Sequence, residues 1–256
     1  DSFEFLAIAD IQGMLDTMYQ DSYKAVEALL NDDRTKNFDF FINAGDMCDN
    51  PKNFNQWMWA CDTYIDLFAN KSQFFTAGNH ENDTSAMSNY FNYTMPLKNA
   101  KGATYQTTES IPTGIFYSFD YGSVHVTVLN TNDADDKGLS SSQFAWLKED
   151  LKKSTAKWKI VLMHKSLYSA GSHSYDSEVV AMRKQLVPVF AQFGVSIVFA
   201  GHDHTYTTTV LLDKDGNEVQ NAEYSDGFSS TEAGTIYITL GTMGTKFYDY
   251  SENPIT

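Results

Sequence analysis

Positive charge is scarce in this sequence: 18 Lys and Arg stand against 33 Asp and Glu, a formal charge of −15 over 256 residues. That balance opposes attraction to nucleic acid backbones and anionic membranes, so polymeric nucleic acid is not an expected partner. A small phosphorylated compound is still compatible, because a metal cluster inside a cleft sets its own local field. Cysteine is nearly absent, and Cys48 and Cys61 are too few for a disulfide framework and lack the companions of a zinc knuckle. Two buried free thiols are expected, with a single bridge as the alternative. No apolar run reaches bilayer-spanning length, and there is neither an internal repeat nor a low-complexity tract. The first residues, Asp1-Ser2-Phe3-Glu4-Phe5, read as strand and lack an initiator Met, as in a piece trimmed from a longer product.

Aromatic residues are plentiful, with 18 Phe and 15 Tyr able to fill one large core, so a single domain over 1–256 is the expectation. Apolar runs at 3–9, 38–44, 73–77, 158–163 and 195–200 are continuous rather than alternating, as strands covered on both faces tend to be. Helical stripes lie between them: Tyr19, Tyr23, Val26 and Leu30; Phe54, Trp57, Cys61, Ile65 and Phe68; and Phe144, Leu147 and Leu151. Ser140 with Gln143 predicts a capping box for the third. In the middle, 117–120 and 124–130 flank Tyr121-Gly122, a hairpin signal, with Val124, Val126 and Val128 alternating against His125 and Thr127. His125 receives no role. A turn at 213–217 precedes a polar loop over 219–233 and a last strand over 236–240. The mixture predicts an α/β fold of two packed sheets with helices outside.

Ligand-type side chains stand where these strands end. Asp10 follows the first, Gly45-Asp46 the second, Gly78-Asn79-His80-Glu81 the third, Met163-His164 closes the fourth, and Gly201-His202-Asp203-His204 follows the fifth. Each alone is ordinary turn chemistry or a structural histidine, but in open α/β sheets the carboxyl rim is where sites form. The glycines at 45, 78 and 201 are expected to let the backbone turn sharply there.

This ordered set resembles the calcineurin-like metallophosphoesterase superfamily over nearly the whole chain. The run Val161-Leu-Met-His164, with Gln143-Phe-Ala-Trp146-Leu147 before it and Thr235 to Gly241 after it, is similar to purple acid phosphatases and their bacterial relatives. The resemblance implies a four-layer α/β/β/α sandwich of two mixed sheets, with two metal ions at the strand C-terminal rim. It implies that Asp46 bridges both ions, that Asp10 and His204 serve one site, and that Asn79, His164 and His202 serve the other. Carboxylate, imidazole and amide oxygen suit Fe, Mn or Zn, and neither Cys is placed as a ligand. A bridging hydroxide would then attack a phosphate ester in line, with His80 protonating the leaving group.

Two departures stand out. The superfamily's Asp-x-His is here Asp10-Ile11-Gln12, so Gln12 is expected to ligate through oxygen or to hydrogen-bond a metal-bound water. The purple acid phosphatase Gly-Asp-x-x-Tyr is here Gly45-Asp46-Met47-Cys48-Asp49, which implies no ferric phenolate colour. Asp49 is read as a helix N-cap or loop residue, with a carboxylate that supports the site or replaces the phenolate as a ligand as the alternative. Glu81 either orients His80 or makes a surface contact, and Asp203 shapes its turn. His173 is a loop residue, with substrate contact as the alternative. The expected function is hydrolysis of a small phosphomonoester, or a diester, by a secreted or cell-surface enzyme that also carries a flanking domain. The alternatives are a nucleotidase and a surface binding module impaired by Gln12 and the missing Tyr.

Overall fold

Short apolar runs covered on both faces favour parallel pairing, and the first three follow that rule. β1 (Phe5–Ile8), β2 (Phe40–Asn43) and β3 (Ser72–Phe75) form a parallel sheet in that order, with Phe5 opposite Phe40 and Phe40 opposite Ser72. The computed structural model describes residues 3–81, 104–106, 116–219 and 234–251. Among these lie β4 (Thr104–Gln106), β5 (Phe116–Tyr121), β6 (Val124–Val128), the two-stranded ribbon of β7 (Ala134–Asp135) and β8 (Gly138–Leu139), β9 (Trp158–Lys165), β10 (Ile197–Gly201), β11 (Tyr206–Thr208) and β12 (Ile236–Leu240). A seven-stranded sheet runs β11-β12-β10-β9-β6-β5-β4, parallel from β12 to β6 and antiparallel at both edges. The larger sheet is therefore mixed as expected, whereas the smaller one is parallel throughout its described strands.

Helices α1 (Asp16–Asn31), α2 (Phe54–Thr63) and α3 (Ile65–Asn70) cover the smaller sheet, burying Val26, Trp57 and Leu67 against Ile8, Phe41 and Phe75. Helices α4 (Ser141–Lys153) and α5 (Ser177–Phe193) cover the larger, through Leu147, Leu151, Met182, Leu186 and Phe190. Between the sheets Phe40, Ile42, Phe119, Val124, Val126, Val128 and Leu162 form the central layer, and Phe74 stacks on Phe119 at 3.6 Å. Tyr117 fastens the sheets together: its hydroxyl donates to the Phe75 carbonyl at 2.8 Å and accepts from the Phe75 amide at 3.0 Å. Register between the sheets is thus fixed by a buried polar contact as well as by packing, and the strand ends of both sheets reach one rim.

Three local expectations change. The stripe from Phe54 to Phe68 is broken at Tyr64, whose hydroxyl bonds Ser22 on α1 at 2.7 Å; Phe54 and Ile65 consequently stay exposed. Ser140 caps α4 by accepting from the Gln143 amide, but the Gln143 side chain turns away to bond both the amide and the carbonyl of Asn130. Helix α5 does not emerge from the sequence pattern, because Pro188 inside it reads as a breaker. Burial of its apolar face outweighs the lost backbone bond, and Gly194 at φ 69° ends it. Both cysteines are free, and of the 219–233 loop residues 220–233 lie outside the described residues.

His125 points away from the valines, as alternation predicts, into a polar cluster under α4. Its Nδ1 lies 2.7 Å from Asp120 and its Nε2 2.9 Å from Asp150, which also accepts from the Ser118 and Thr127 hydroxyls. Burial acts to lower the His125 pKa, but the two carboxylates outweigh it and raise it above 6.5. A raised folded-state pKa gives stability that is complete below the unfolded value and lost as pH rises through the folded one. His125→Gln should therefore cost about 2 kcal/mol at pH 6 and less at pH 8, as measured by urea denaturation at both values.

Candidate metal centre

The rim gathers atoms that can only accept. Asp46 Oδ2 lies 3.4 Å from His164 Nε2, and Asn79 Oδ1 lies 2.8 Å from His164 Nε2 and 2.7 Å from His202 Nδ1. Asp10 Oδ1 lies 3.4 Å from His204 Nε2. The remaining nitrogens define the tautomers: His164 Nδ1 donates to the Ala44 carbonyl at 2.7 Å, and His204 Nδ1 donates to the Lys246 carbonyl. The Nε2 atoms are then turned toward carboxylate and amide oxygens, an arrangement that calls for a proton or a cation between them. Among the described residues three groups result: His173 with Asp176 and His202 to one side, and at the centre a pair, Asp46 with His164 and His202, and Asp10 with Asp46 and His204; in each group the ligand atoms lie within 4.8 Å of one another. Asp46 belongs to both members of the central pair.

Backbone strain is concentrated on the same residues. Among the described residues, the non-glycine positions with positive φ are Asp10 at 55°, Asp46 at 55° and His202 at 72°. Such conformations cost of the order of 1–2 kcal/mol for residues with a Cβ and persist where surrounding contacts over-determine them. Here Asp10 donates its amide to the Gly45 carbonyl at 2.9 Å, and its carboxylate accepts the His202 amide at 3.1 and 3.2 Å. Gly45, at φ 99°, makes the sharp turn expected of it. Gly78 and Gly201 serve differently: a Cβ there would come within 2.1 Å of the Asp46 carboxylate and 2.2 Å of the Asp10 carboxylate. They make room for side chains rather than for a turn.

Glu81 takes neither position expected of it. It is fully buried, and its Oε2 accepts from the amides of Asp46 and Gly78 at 2.9 Å each, while Oε1 accepts from Met47 at 2.9 Å and Cys48 at 3.2 Å. One carboxylate therefore ties the loop after β2 to the loop after β3. Burial, followed by the neighbouring Asp46 charge, pushes its pKa up to about 7 against the pull of the amides. His80 is set by other partners: its amide donates to Asp46 Oδ1 at 2.9 Å and its Nδ1 bonds the Asp49 carbonyl at 2.7 Å, with Nε2 4.0 Å from Asp46 Oδ2. Asp49 is not a helix cap, since Asn53 caps α2, and its carboxylate approaches His80 Nδ1 at 3.8 Å.

His173 packs on the His202 ring at 4.3 Å, with Nδ1 2.8 Å from Asp176, so its loop does reach the rim. Asp203 reaches beyond its own turn and accepts the His173 amide at 3.3 Å. Gln12 is buried with both side-chain polar atoms unpartnered, as is His204 Nε2. A segment that sequence reading leaves without a role completes the rim: Met243 and Gly244 donate to the Ala9 and Asp10 carbonyls at 2.9 and 3.0 Å, and Tyr248 stacks on His204 at 4.3 Å. The glycines of Gly241-Thr242-Met243-Gly244 at the end of β12 were the signal, being the same strand-end grammar as the earlier motifs.

Burial acts to lower the His164 pKa, yet Asp46 and Asp10 pull it up to about 9. Burial, with His164 and His173 nearby, drives the His202 pKa well below its ordinary value, leaving it a neutral donor. Against burial, His164 and His80 hold Asp46 ionised. The cluster is thus one that stabilises positive charge at its centre.

Two groups of oxygen and nitrogen donors sharing one carboxylate, on a four-layer α/β/β/α frame, form a candidate metal centre. The chain belongs to the calcineurin-like phosphoesterase family, whose model matches residues 3–206. It is similar to purple acid phosphatase 23 of Arabidopsis thaliana, at 36% identity over 51% of this chain and 26% of that protein. Purple acid phosphatase 1 of Ipomoea batatas matches at 31% identity over 66% of this chain and 35% of its own length. The fold resembles that of purple acid phosphatase PPD1 from yellow lupin (Lupinus luteus), with a TM-score of 0.68 at 18% identity, over 98% of this chain and 46% of that one. The chain thus spans well under two thirds of these relatives' lengths.

The Glu81 tie is testable. Glu81→Gln places an amide NH2 against one pair of backbone donors, which should cost about 2–3 kcal/mol of stability and lower bound metal; urea denaturation and elemental analysis of the purified variant measure both.

Proposed function

We propose that this chain hydrolyses small phosphate esters, phosphomonoesters foremost, at a pair of metal ions held by the rim residues. The observation that carries this reading is the sharing of Asp46 between the Asp46–His164–His202 and Asp10–Asp46–His204 groups. The donor set fits: Asp10, Asp46, Asn79, His164, His202 and His204 offer oxygen and nitrogen without thiolate, which suits Fe, Mn or Zn. The Gln12 amide and His204 Nε2 are buried without hydrogen-bond partners, a cost that a group bound at the rim would relieve. Bound ions supply a hydroxide nucleophile at neutral pH and neutralise the phosphate oxygens.

The chain's own residues do the rest. Asp46 holds both groups in one frame, and Glu81 fixes its backbone. His80, anchored through Nδ1 to the Asp49 carbonyl, presents Nε2 beside Asp46 and delivers a proton to the leaving alkoxide. His173, held by Asp176 and packed against the His202 ring, would contact the substrate's phosphate. Among the described residues no helix is long and apolar enough to cross a membrane. The reading places the chain outside the cell or on its surface as one catalytic domain of a larger protein, on the strength of its acidic charge and its likeness to longer phosphatases.

The test compares turnover of p-nitrophenyl phosphate and its bis ester, with and without Mn, alongside metal analysis. Faster monoester turnover that chelation abolishes is expected; a nucleotidase would instead prefer mononucleotides, and absence of turnover with every divalent ion would establish the binding-module alternative. Gln12→His should tighten metal binding at the Asp10–His204 group by about tenfold, read by competition with a chelating dye, and an unchanged affinity would mean that Gln12 does not face the ion.

A further inference from the structure

One cation at the rim makes no ion pair with any described carboxylate. Lys246 is exposed, and its Nζ sits 5.3 Å from the centre of the Tyr248 ring, which itself lies nearly parallel to the His204 ring at 8° and 4.3 Å. The backbone is fixed independently of that side chain, because the Lys246 carbonyl accepts from His204 Nδ1 and the Thr242 hydroxyl donates to the Asp10 carbonyl at 2.7 Å. Both Asp46 and Asp49 act electrostatically on the ammonium. Lys165, which acts electrostatically on His202, is by contrast committed to Glu178 at 2.7 Å. In a chain of net charge −15, a lysine held one aromatic ring from the candidate centre and left without a carboxylate has a distinct use.

We infer that Lys246 recognises the non-ester oxygens of the bound phosphate and, through its charge, favours dianionic phosphomonoesters over monoanionic diesters. A monoester presents one more negative charge than a diester, so an added cation at the mouth gains more from it. The contact with the Tyr248 ring restrains the long side chain and lowers the entropy lost on binding. This rests on the proposed function and deepens it to a substrate class.

The experiment titrates inorganic phosphate into metal-loaded wild type, Lys246→Gln and Lys246→Arg by calorimetry, and measures kcat and KM for p-nitrophenyl phosphate and its bis ester. Lys246→Gln should weaken phosphate binding about tenfold and raise monoester KM similarly, with diester kinetics within about threefold and metal content unchanged; Lys246→Arg should restore most of the binding. Unchanged phosphate affinity in Lys246→Gln would overturn the inference, as would equal losses on both esters accompanied by metal loss, which would mark a structural role. Failure of the hydrolytic reading is separately visible: wild type would bind phosphate through Lys246 yet turn over neither ester.

Discussion

Three buried carboxylates, those of Asp10, Asp46 and Glu81, are packed at one rim of this molecule, and the architecture around them is arranged to make that tolerable. Burying a carboxylate costs several kcal/mol unless donors or cations meet it. The donors here are backbone amides from other strands: Glu81 takes four, from Asp46, Met47, Cys48 and Gly78, Asp10 takes that of His202, and Asp46 takes that of His80. All of these bonds but the one from Gly78 to Glu81 join two strand-end loops, and the Asp10–His202 bond crosses from the smaller sheet to the larger. Neutralising the charges and assembling the rim are thus one process, which is why the two sheets must meet in a single register.

The strain follows from the same constraint. A carboxylate that must face inward while its amide bonds a neighbouring loop has few backbone conformations available, and left-handed φ values at Asp10, Asp46 and His202 meet both demands. Gly78 and Gly201 then lie opposite the Asp46 and Asp10 carboxylates, where any Cβ would collide. Strain and small residues here are two consequences of bringing acceptors together more closely than an uncharged core would allow.

Much of this was legible in the sequence, and the pattern of failures is physical. Strand ends and their ligand-type residues could be read because they depend on local grammar, an apolar run followed by Gly, Asp, Asn or His. The inward valines of β6 and the outward His125 followed from alternation alone. What escaped were contacts between residues distant in the chain: Glu81 meets Asp46 across 35 positions, and His204 meets Lys246 across 42. Nothing beside Glu81 announces that its partners are amides rather than an imidazole. Helix α5 escaped for another reason, since Pro188 is a strong local signal that tertiary burial overrides. The purpose of Gly78 and Gly201 was misread for a related cause, because a glycine's freedom to turn and its lack of bulk look alike in a sequence.

The Asp10–His204 side of the rim is where the residues depart from the family resemblance, and its geometry argues for retained binding there. A buried Gln whose oxygen and nitrogen both lack partners costs of the order of 1–3 kcal/mol per group, and an apolar side chain of similar size would remove that cost. Gln12 is in this state, and so is His204 Nε2, which lies 3.4 Å from Asp10 Oδ1 without a hydrogen bond to it. The three costs are relieved together by one occupant that accepts lone pairs from oxygen and nitrogen and carries positive charge. A proton satisfies one acceptor at a time, whereas a metal ion held by Asp10, Asp46 and His204 would meet several together. Replacement of the family's imidazole by Gln12 is, on this argument, a change in how strongly that position holds its ion and how open its coordination remains, with the demand for the ion kept in place by Asp10, Asp46 and His204.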